Sequence, residues 1–127
     1  MGWGDTNIPF ETLKGKTIKQ IDGLEEGSEE VTFTLDDDTM YRMEHTQDCC
    51  EIVRVLEIIG DVGDLIDSEI LTAEEAGSDA ETTEENYYES GTWTFYKLST
   101  RKGYVDIRWL GESNGYYSEF VDFYEVK

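Results

Sequence analysis

The segments TWTFYKLST (92–100) and GYVDIRWLG (103–111) carry the clearest fold signal of the chain. Both alternate apolar or aromatic residues with polar ones, which is typical of a half-buried β-strand. In the second segment Val105, Ile107 and Trp109 share one face. The two strands are separated by a very short connection, so we predict an antiparallel hairpin.

The hairpin is followed by a third aromatic segment, YYSEFVDFYEV (116–126). Asn114-Gly115 precedes it, and Asn-Gly between alternating runs is the strongest short hairpin signal. The sequence therefore predicts a C-terminal three-stranded antiparallel meander.

The N-terminal half repeats the period-two pattern. Residues 31–35 and 52–59 read as strands, and Tyr41, Met43 and His45 share one face of another. The segment Asp61–Ser68 is short and bounded by acids, which predicts one short helix. The predicted fold class is mainly β (α+β), a twisted antiparallel sheet with the meander and this single helix.

The length of 127 residues predicts a single domain over residues 1–127. Residues 74–90 lose their aliphatic side chains and become strongly acidic. We interpret this segment as an acidic loop, a mobile one or the tip of a long hairpin.

The net charge limits the kinds of partner that the protein can bind. Thirty acidic and ten basic residues give a net charge of −20, which disfavours direct binding to nucleic acid or to an anionic membrane. The same charge favours a basic partner, such as a nucleic-acid-binding protein, although acidity also serves solubility. No apolar run reaches membrane-spanning length and no leader is evident, so we expect a cytoplasmic protein.

All imidazole and thiol groups of the chain fall within six residues, at His45, Cys49 and Cys50. These are ligands that zinc prefers, and Asp48 or Asp61 could supply a fourth. The sequence predicts a structural zinc site here, with buried, unliganded thiols as the alternative. Adjacent cysteines do not pair readily, which favours reduced thiols.

Lys97 and Arg108 stand in otherwise aromatic strands. They either line a polar pocket or pair with nearby carboxylates. Trp93, Phe95 and Trp109 are predicted core residues, because strand aromatics usually pack inward. There is no phosphate loop, nucleophile elbow or characteristic Cys–His spacing, so the sequence predicts a protein that is not an enzyme.

Several segments together resemble an uncharacterised family of small phage and prophage proteins, a domain of unknown function. The resemblance covers the chain from about Gly15 onward and is carried by HTQDCCE (45–51), GDVGDL (60–65), WTFYKLST (93–100), KGYV (102–105), IRW (107–109), SNGYYSE (113–119) and VDF (121–123). A phage setting implies action against host defence, as in anti-CRISPR inhibitors, some of which are acidic and hold zinc.

Three functions follow as expectations. The leading one is a non-enzymatic inhibitor that binds a basic surface of an RNA-guided CRISPR effector nuclease and blocks guide or target DNA. Acidic segments 25–30, 36–38 and 74–89 would drive binding, with Tyr87 and Tyr88 as anchors. The second is a sponge for a nucleotide immune signal, with Lys97 and Arg108 as phosphate contacts. The third is a thiol-dependent enzyme.

Overall fold

A computed structural model describes residues 7–46, 50–79, 90–113 and 119–126, with only the backbone of Asp79. Eight strands lie within these ranges: β1 (Ile18–Asp22), β2 (Glu30–Leu35), β3 (Met40–Glu44), β4 (Ile52–Ile59), β5 (Thr72–Asp79), β6 (Ser90–Thr100), β7 (Gly103–Ser113) and β8 (Asp122–Val126). Single 3₁₀ turns form at Phe10–Leu13 and Val62–Leu65.

The strands form two four-stranded antiparallel sheets. Sheet 1 has the order β1-β2-β3-β8, and sheet 2 has the order β4-β7-β6-β5. The mainly β class with antiparallel pairing is confirmed, and the single predicted sheet is divided into two. The longest pairing is the β6–β7 hairpin, which runs from Ser90 opposite Ser113 to Thr100 opposite Gly103.

One apolar core joins the two sheets. Sheet 2 contributes the predicted face of β7, where Val105, Ile107 and Trp109 are fully buried. Sheet 1 contributes Phe33 and Met43, also fully buried. Alternation along each strand thus places one face of each sheet against the other, and this burial is the main stabilising contribution.

The first 3₁₀ turn closes the core between the sheets. The ring of Phe10 lies 4.6 Å from that of Tyr96 in sheet 2 and 5.2 Å from that of Phe123 in sheet 1. The backbone amide of Ile8 donates to the Phe123 carbonyl at 2.9 Å. This turn therefore touches both sheets and forms one wall between them.

The third strand of the predicted meander is in the other sheet. β8 pairs with β3, with Met43 opposite Phe123, and does not continue from β7. The buried ring of Phe123 stacks on Tyr41 at 5.6 Å, so β8 completes the inner face of sheet 1. Asn114-Gly115 lies outside the described residues.

Two further predictions need correction. The short helix at Asp61–Ser68 is a single 3₁₀ turn at Val62–Leu65, capped by the Asp61 carboxylate, which accepts from the Gly63 amide at 2.9 Å. The acidic loop over 74–90 is too long, because β5 extends to Asp79 and β6 starts at Ser90. β5 is an edge strand with charged, exposed side chains, and backbone pairing with β6 overrides the composition.

The outer face of sheet 2 holds two of the aromatics predicted to be core. Trp93 and Phe95 are half-buried and stack at 5.9 Å on the face opposite to the core. Arg108 covers the Phe95 ring at 5.7 Å. Trp109 alone of these three aromatics is a core residue. In the described part of the chain, no helix is long and apolar enough to span a membrane.

Candidate functional site

His45 lies just beyond β3 and is buried against two other segments. Its Nε2 atom is 2.7 Å from Glu51 Oε2, and its Nδ1 atom is 2.8 Å from the carbonyl oxygen of Phe120. The two side chains are only 4% and 0% exposed. The imidazole therefore ties the end of β3 to the residues that enter β4 and β8.

Cys50 differs from the sequence expectation. It is exposed and disulfide-bonded, whereas reduced thiols were predicted. Cys49, the only other cysteine of the chain, lies outside the described residues. A disulfide sulfur is neither a thiolate ligand nor a nucleophile, so Cys50 in this state supports neither zinc binding nor thiol catalysis.

The predicted zinc ligands are not assembled within the described ranges, where no group of three or more His, Cys, Asp or Glu side chains could hold a metal ion. Asp48 falls outside those ranges. Asp61 follows the far end of β4, an eight-residue strand that is roughly 26 Å long, whereas Glu51 and its partner His45 lie at the start. Asp61 is thus too distant to join His45, and the zinc site remains a prediction.

Glu119 forms a second buried polar contact near the start of β8. Its Oε1 accepts from Thr92 Oγ1 at 2.7 Å, and its Oε2 accepts from Ser113 Oγ. Gly111 lies directly against the backbone of Glu119, since a Cβ at Gly111 would come within 2.2 Å of the Glu119 carbonyl oxygen. The glycine allows this close approach, and the two hydroxyls hold Glu119 on sheet 2.

Carboxylates form a row across the outer face of sheet 1. Glu30 lies opposite Glu44 in the β2–β3 pair, and Glu44 lies opposite Asp122 in the β3–β8 pair. Like charges directly opposite each other on neighbouring strands destabilise a sheet. The row therefore opposes folding.

Neutral donors hold most of this row in place. Tyr124 Oη donates to Glu44, and Asn7 Nδ2 donates to Asp122 Oδ1 at 2.9 Å. Among the residues that the structure describes, only Glu30 of the three forms an ion pair, with Arg42 Nε at 2.8 Å. Hydrogen bonds from neutral groups fix a carboxylate without removing its charge, so the row stays strongly negative.

The connection between β1 and β2 extends this negative surface. Its acidic side chains are exposed, and its backbone is fixed on β4, where Gly27 N donates to Val55 O and Val55 N donates to Ser28 O, each at 2.8 Å. We use the name acidic end for the carboxylates at this end of sheet 1: Asp22, Glu25, Glu26, Glu29, Glu30, Glu44 and Asp122.

The other predicted acidic segments lie elsewhere. Asp36, Asp37 and Asp38 form the β2–β3 turn at the opposite end of sheet 1. A hydrogen bond from Thr39 holds the pKa of the exposed Asp37 carboxyl below its usual range. Residues 80–89, with Tyr87 and Tyr88, lie outside the described residues.

Lys97 and Arg108 line one cavity and also lie near carboxylates, so features of both alternatives are present. With Phe95 and Asp106 they line a volume of about 220 Å³ on the outer face of sheet 2. Arg108 also pairs with Glu57 at 3.3 Å, and Lys97 lies opposite Glu74 and Asp106 in the strand register. Ligand pockets usually enclose roughly 300–1,000 Å³, so this cavity is smaller than a typical ligand site. Its two basic side chains also already lie near carboxylates.

Sequence reasoning missed the residues that shape the acidic end. Glu51 and Glu119 are buried, and they read as ordinary acids because their burial depends on donors from other strands. The Glu30–Glu44–Asp122 row depends on register. Alternation did place Tyr41 and Met43 on the same face of β3, but β8 was assigned to the wrong neighbour.

The fold and the site define a strongly acidic, two-sheet antiparallel β protein with one negative surface fixed by neutral donors. The chain belongs to the family DUF7448, a domain of unknown function, whose model matches residues 11–123. The resemblance to an uncharacterised family is thereby confirmed. No curated protein and no solved structure matches the chain.

Proposed function

We propose that this protein is a non-enzymatic inhibitor that binds the basic, nucleic-acid-binding surface of another protein through its acidic end. The particular target we propose is an RNA-guided nuclease of a bacterial defence system, with the inhibitor encoded by a phage and acting in the cytoplasm of the infected cell. Binding would block loading of the guide or target nucleic acid.

The observation that carries the proposal is the row Glu30–Glu44–Asp122. A row of opposed carboxylates costs folding free energy, yet the structure fixes it with hydrogen bonds from Tyr124 and Asn7. A surface that opposes folding and is still held rigid is best explained by a partner that neutralises it. The net charge of −20 adds long-range attraction to any basic groove.

The fixed geometry of these carboxylates favours a role in inhibition over a role in solubility alone. Charges kept for solubility need no fixed geometry, whereas competition with nucleic acid gains from carboxylates that are already ordered before binding. Both the row and the anchored β1–β2 connection meet that requirement. Electrostatic steering should make association fast at low salt and slower as ions screen it.

The test is a competition assay with purified effector nuclease, guide and target DNA over a salt series. The variant Glu30→Gln/Glu44→Gln/Asp122→Asn should slow association by about tenfold or more at low salt, because three steering charges are lost. The matched control is Asp36→Asn/Asp37→Asn/Asp38→Asn, which removes the same charge from the opposite end of sheet 1 and should associate almost as fast as the wild type.

Equal slowing by both variants would show that net charge, rather than the acidic end, determines binding. Failure of the wild-type protein to displace nucleic acid from any effector at low salt, together with co-purification of a nucleotide, would favour the sponge instead. The thermal unfolding of each variant should be recorded first, since Glu44 is also the acceptor for Tyr124.

A further inference from the structure

A cleft of about 600 Å³ opens beside the first 3₁₀ turn, between that turn and the β5–β6 edge of sheet 2. Its walls include Phe10, Glu11, Glu75, Gly77, Trp93 and Phe120. A second volume of about 380 Å³ adjoins it and shares Glu11 and Glu75. The proposed inhibitor function does not use this cleft.

Two carboxylates face the cleft without a counter-charge. Within the described chain, neither Glu11 nor Glu75 has a salt-bridge partner. Lys97 lines only the smaller volume, where Glu74 is also present. Partial burial, and then the charge of Glu11, raise the pKa of the Glu75 carboxyl.

One exposed aromatic ring stands on the wall. Phe120 is 63% exposed, a large apolar side chain left in water. Phe10 is fully buried and the Trp93 ring stacks on the outer face of sheet 2, so these two residues line the cleft without offering it a free ring face. A cation over an aromatic face is stabilised by the ring quadrupole. Carboxylates next to aromatic rings favour an organic cation over a hydrated metal ion, which gains little from the rings.

An unsatisfied hydroxyl lies in the core, on a residue that neighbours two residues of the cleft wall. Tyr96 is the cross-strand partner of Glu75, packs on Phe10, and is fully buried. Its hydroxyl makes no hydrogen bond in the described part of the chain, although buried polar groups are nearly always paired. Burial first, and then the charges of Glu75 and Asp122, raise its pKa. Phe120 of the cleft wall lies two residues before Asp122 of the acidic end, so the cleft and that surface are neighbours.

We propose that this cleft binds an arginine side chain of the basic partner. The inference rests on the proposed function and deepens it, because steering by charge alone is promiscuous whereas a pocket for one side chain gives register and specificity. A guanidinium suits the walls better than an ammonium, since it stacks on aromatic faces and donates to two carboxylates at once.

The first arm of the test uses a small probe. N-acetyl-arginine amide is titrated into the whole protein, and the ring signals of Phe120 are followed by NMR. The neutral isostere N-acetyl-citrulline amide serves as the matched ligand. Arginine amide should shift the Phe120 signals and citrulline amide should not. Equal shifts with both ligands, or none with either, would overturn the proposal.

The second arm uses variants. Glu75→Gln should weaken arginine amide binding by about tenfold, the loss of one charge-assisted hydrogen bond. Asp36→Asn removes the same charge far from the cleft and should leave affinity unchanged. Gly77→Leu, whose Cβ would lie 3.1 Å from the Trp93 carbonyl oxygen, should fill the cleft while keeping every charge. If the leucine variant fails to fold, Glu11→Gln replaces it.

The third arm separates this proposal from the function on which it rests. If the effector binds wild type and Glu75→Gln equally well, but not the acidic-end variant, the cleft proposal is wrong and the inhibitor proposal stands. If no effector binds, while arginine amide binding depends on Glu75, the cleft proposal stands and the inhibitor proposal fails.

Discussion

Nε2 of His45 lies 2.7 Å from Oε2 of Glu51, while Nδ1 lies 2.8 Å from the carbonyl oxygen of Phe120. A carbonyl only accepts, so Nδ1 must carry a proton. A proton must also lie between Nε2 and the carboxyl group, because an imidazole lone pair and a carboxylate repel each other. The pair is therefore neutral as a unit, and each partner makes burial of the other possible.

The first prediction concerns that pair. His45→Phe should lower the free energy of unfolding by about 3–5 kcal/mol, because it removes the imidazole that is hydrogen-bonded to a buried carboxylate. Adding Glu51→Leu to His45→Phe should restore at least about 1 kcal/mol, since an apolar pair replaces the buried charge. Urea unfolding of both single variants and the double variant measures the coupling. Simple additivity of the two single effects would mean that the contact contributes no coupling.

The second prediction concerns Gly111. Gly111→Ala should lower the free energy of unfolding by about 3 kcal/mol, since the new Cβ would lie 2.2 Å from the carbonyl oxygen of Glu119 and 2.8 Å from its Cβ. The control is Gly77→Ala in the same sheet, whose nearest neighbour would be a carbonyl oxygen at 3.1 Å. Its change should stay below about 1 kcal/mol. Equal losses in urea unfolding would show that Glu119 moves aside.

The third prediction concerns Tyr124. Burial, and then its hydrogen bond to Glu44, raise the pKa of Tyr124 to about 12, against a smaller opposing effect of Arg42. The folded state thus favours the neutral phenol, and this contribution to stability is full below pH 10 and is lost as the pH rises through 12. Glu44→Gln should lower the pKa of Tyr124, as followed by the NMR shift of its ring carbon.

The matched control for Tyr124 is Glu57→Gln, a carboxylate on the outer face of the other sheet. It should leave the titration of Tyr124 unchanged. An unaltered midpoint in Glu44→Gln would show that burial alone accounts for the raised pKa.

The fourth prediction concerns zinc. Oxidised protein should take up no zinc, because Cys50 is disulfide-bonded and both ring nitrogens of His45 already have partners. If His45, Cys49 and Cys50 form the predicted site, reduced protein should bind one ion per chain and gain thermal stability. Elemental analysis before and after reduction decides this, with Cys50→Ser as the control. A reduced protein free of metal would leave the site without support.

Local patterns in the sequence predict the β6–β7 hairpin of sheet 2 well. The alternation of β6 and β7 and their short connection specify a hairpin, and the inward positions of Val105, Ile107 and Trp109 follow from period two alone. For aromatic residues it is harder to predict which face of the sheet, inner or outer, the side chain occupies. Trp93 and Phe95 alternate as regularly as the core residues, but they cover the outer face, where Arg108 stacks on Phe95.

Contacts between distant segments were not predictable in this way. An aromatic strand can pair with several neighbours, and nothing in the sequence of β8 indicates that β3 is its partner. Glu119 looked like a surface acid for the same reason, since its donor Thr92 comes from a strand that only the tertiary fold brings close. Glu51 is close to His45 in sequence, but His45 also contacts the carbonyl of Phe120, which is 75 residues away. The candidate site consists mostly of such contacts, so the sequence showed its charge and not its geometry.

The pairing of β3 with β8 has a consequence for synthesis on the ribosome. Glu44 and Tyr124, which are hydrogen-bonded across this pair, are 80 residues apart in sequence. Sheet 1 is therefore completed only when β8 pairs with β3, and such late, long-range closure slows folding. Asp122 enters the acidic row at that same moment. A nascent or truncated chain that lacks β8 would carry much of the charge but not the assembled row, so binding competence would arise only with the finished protein.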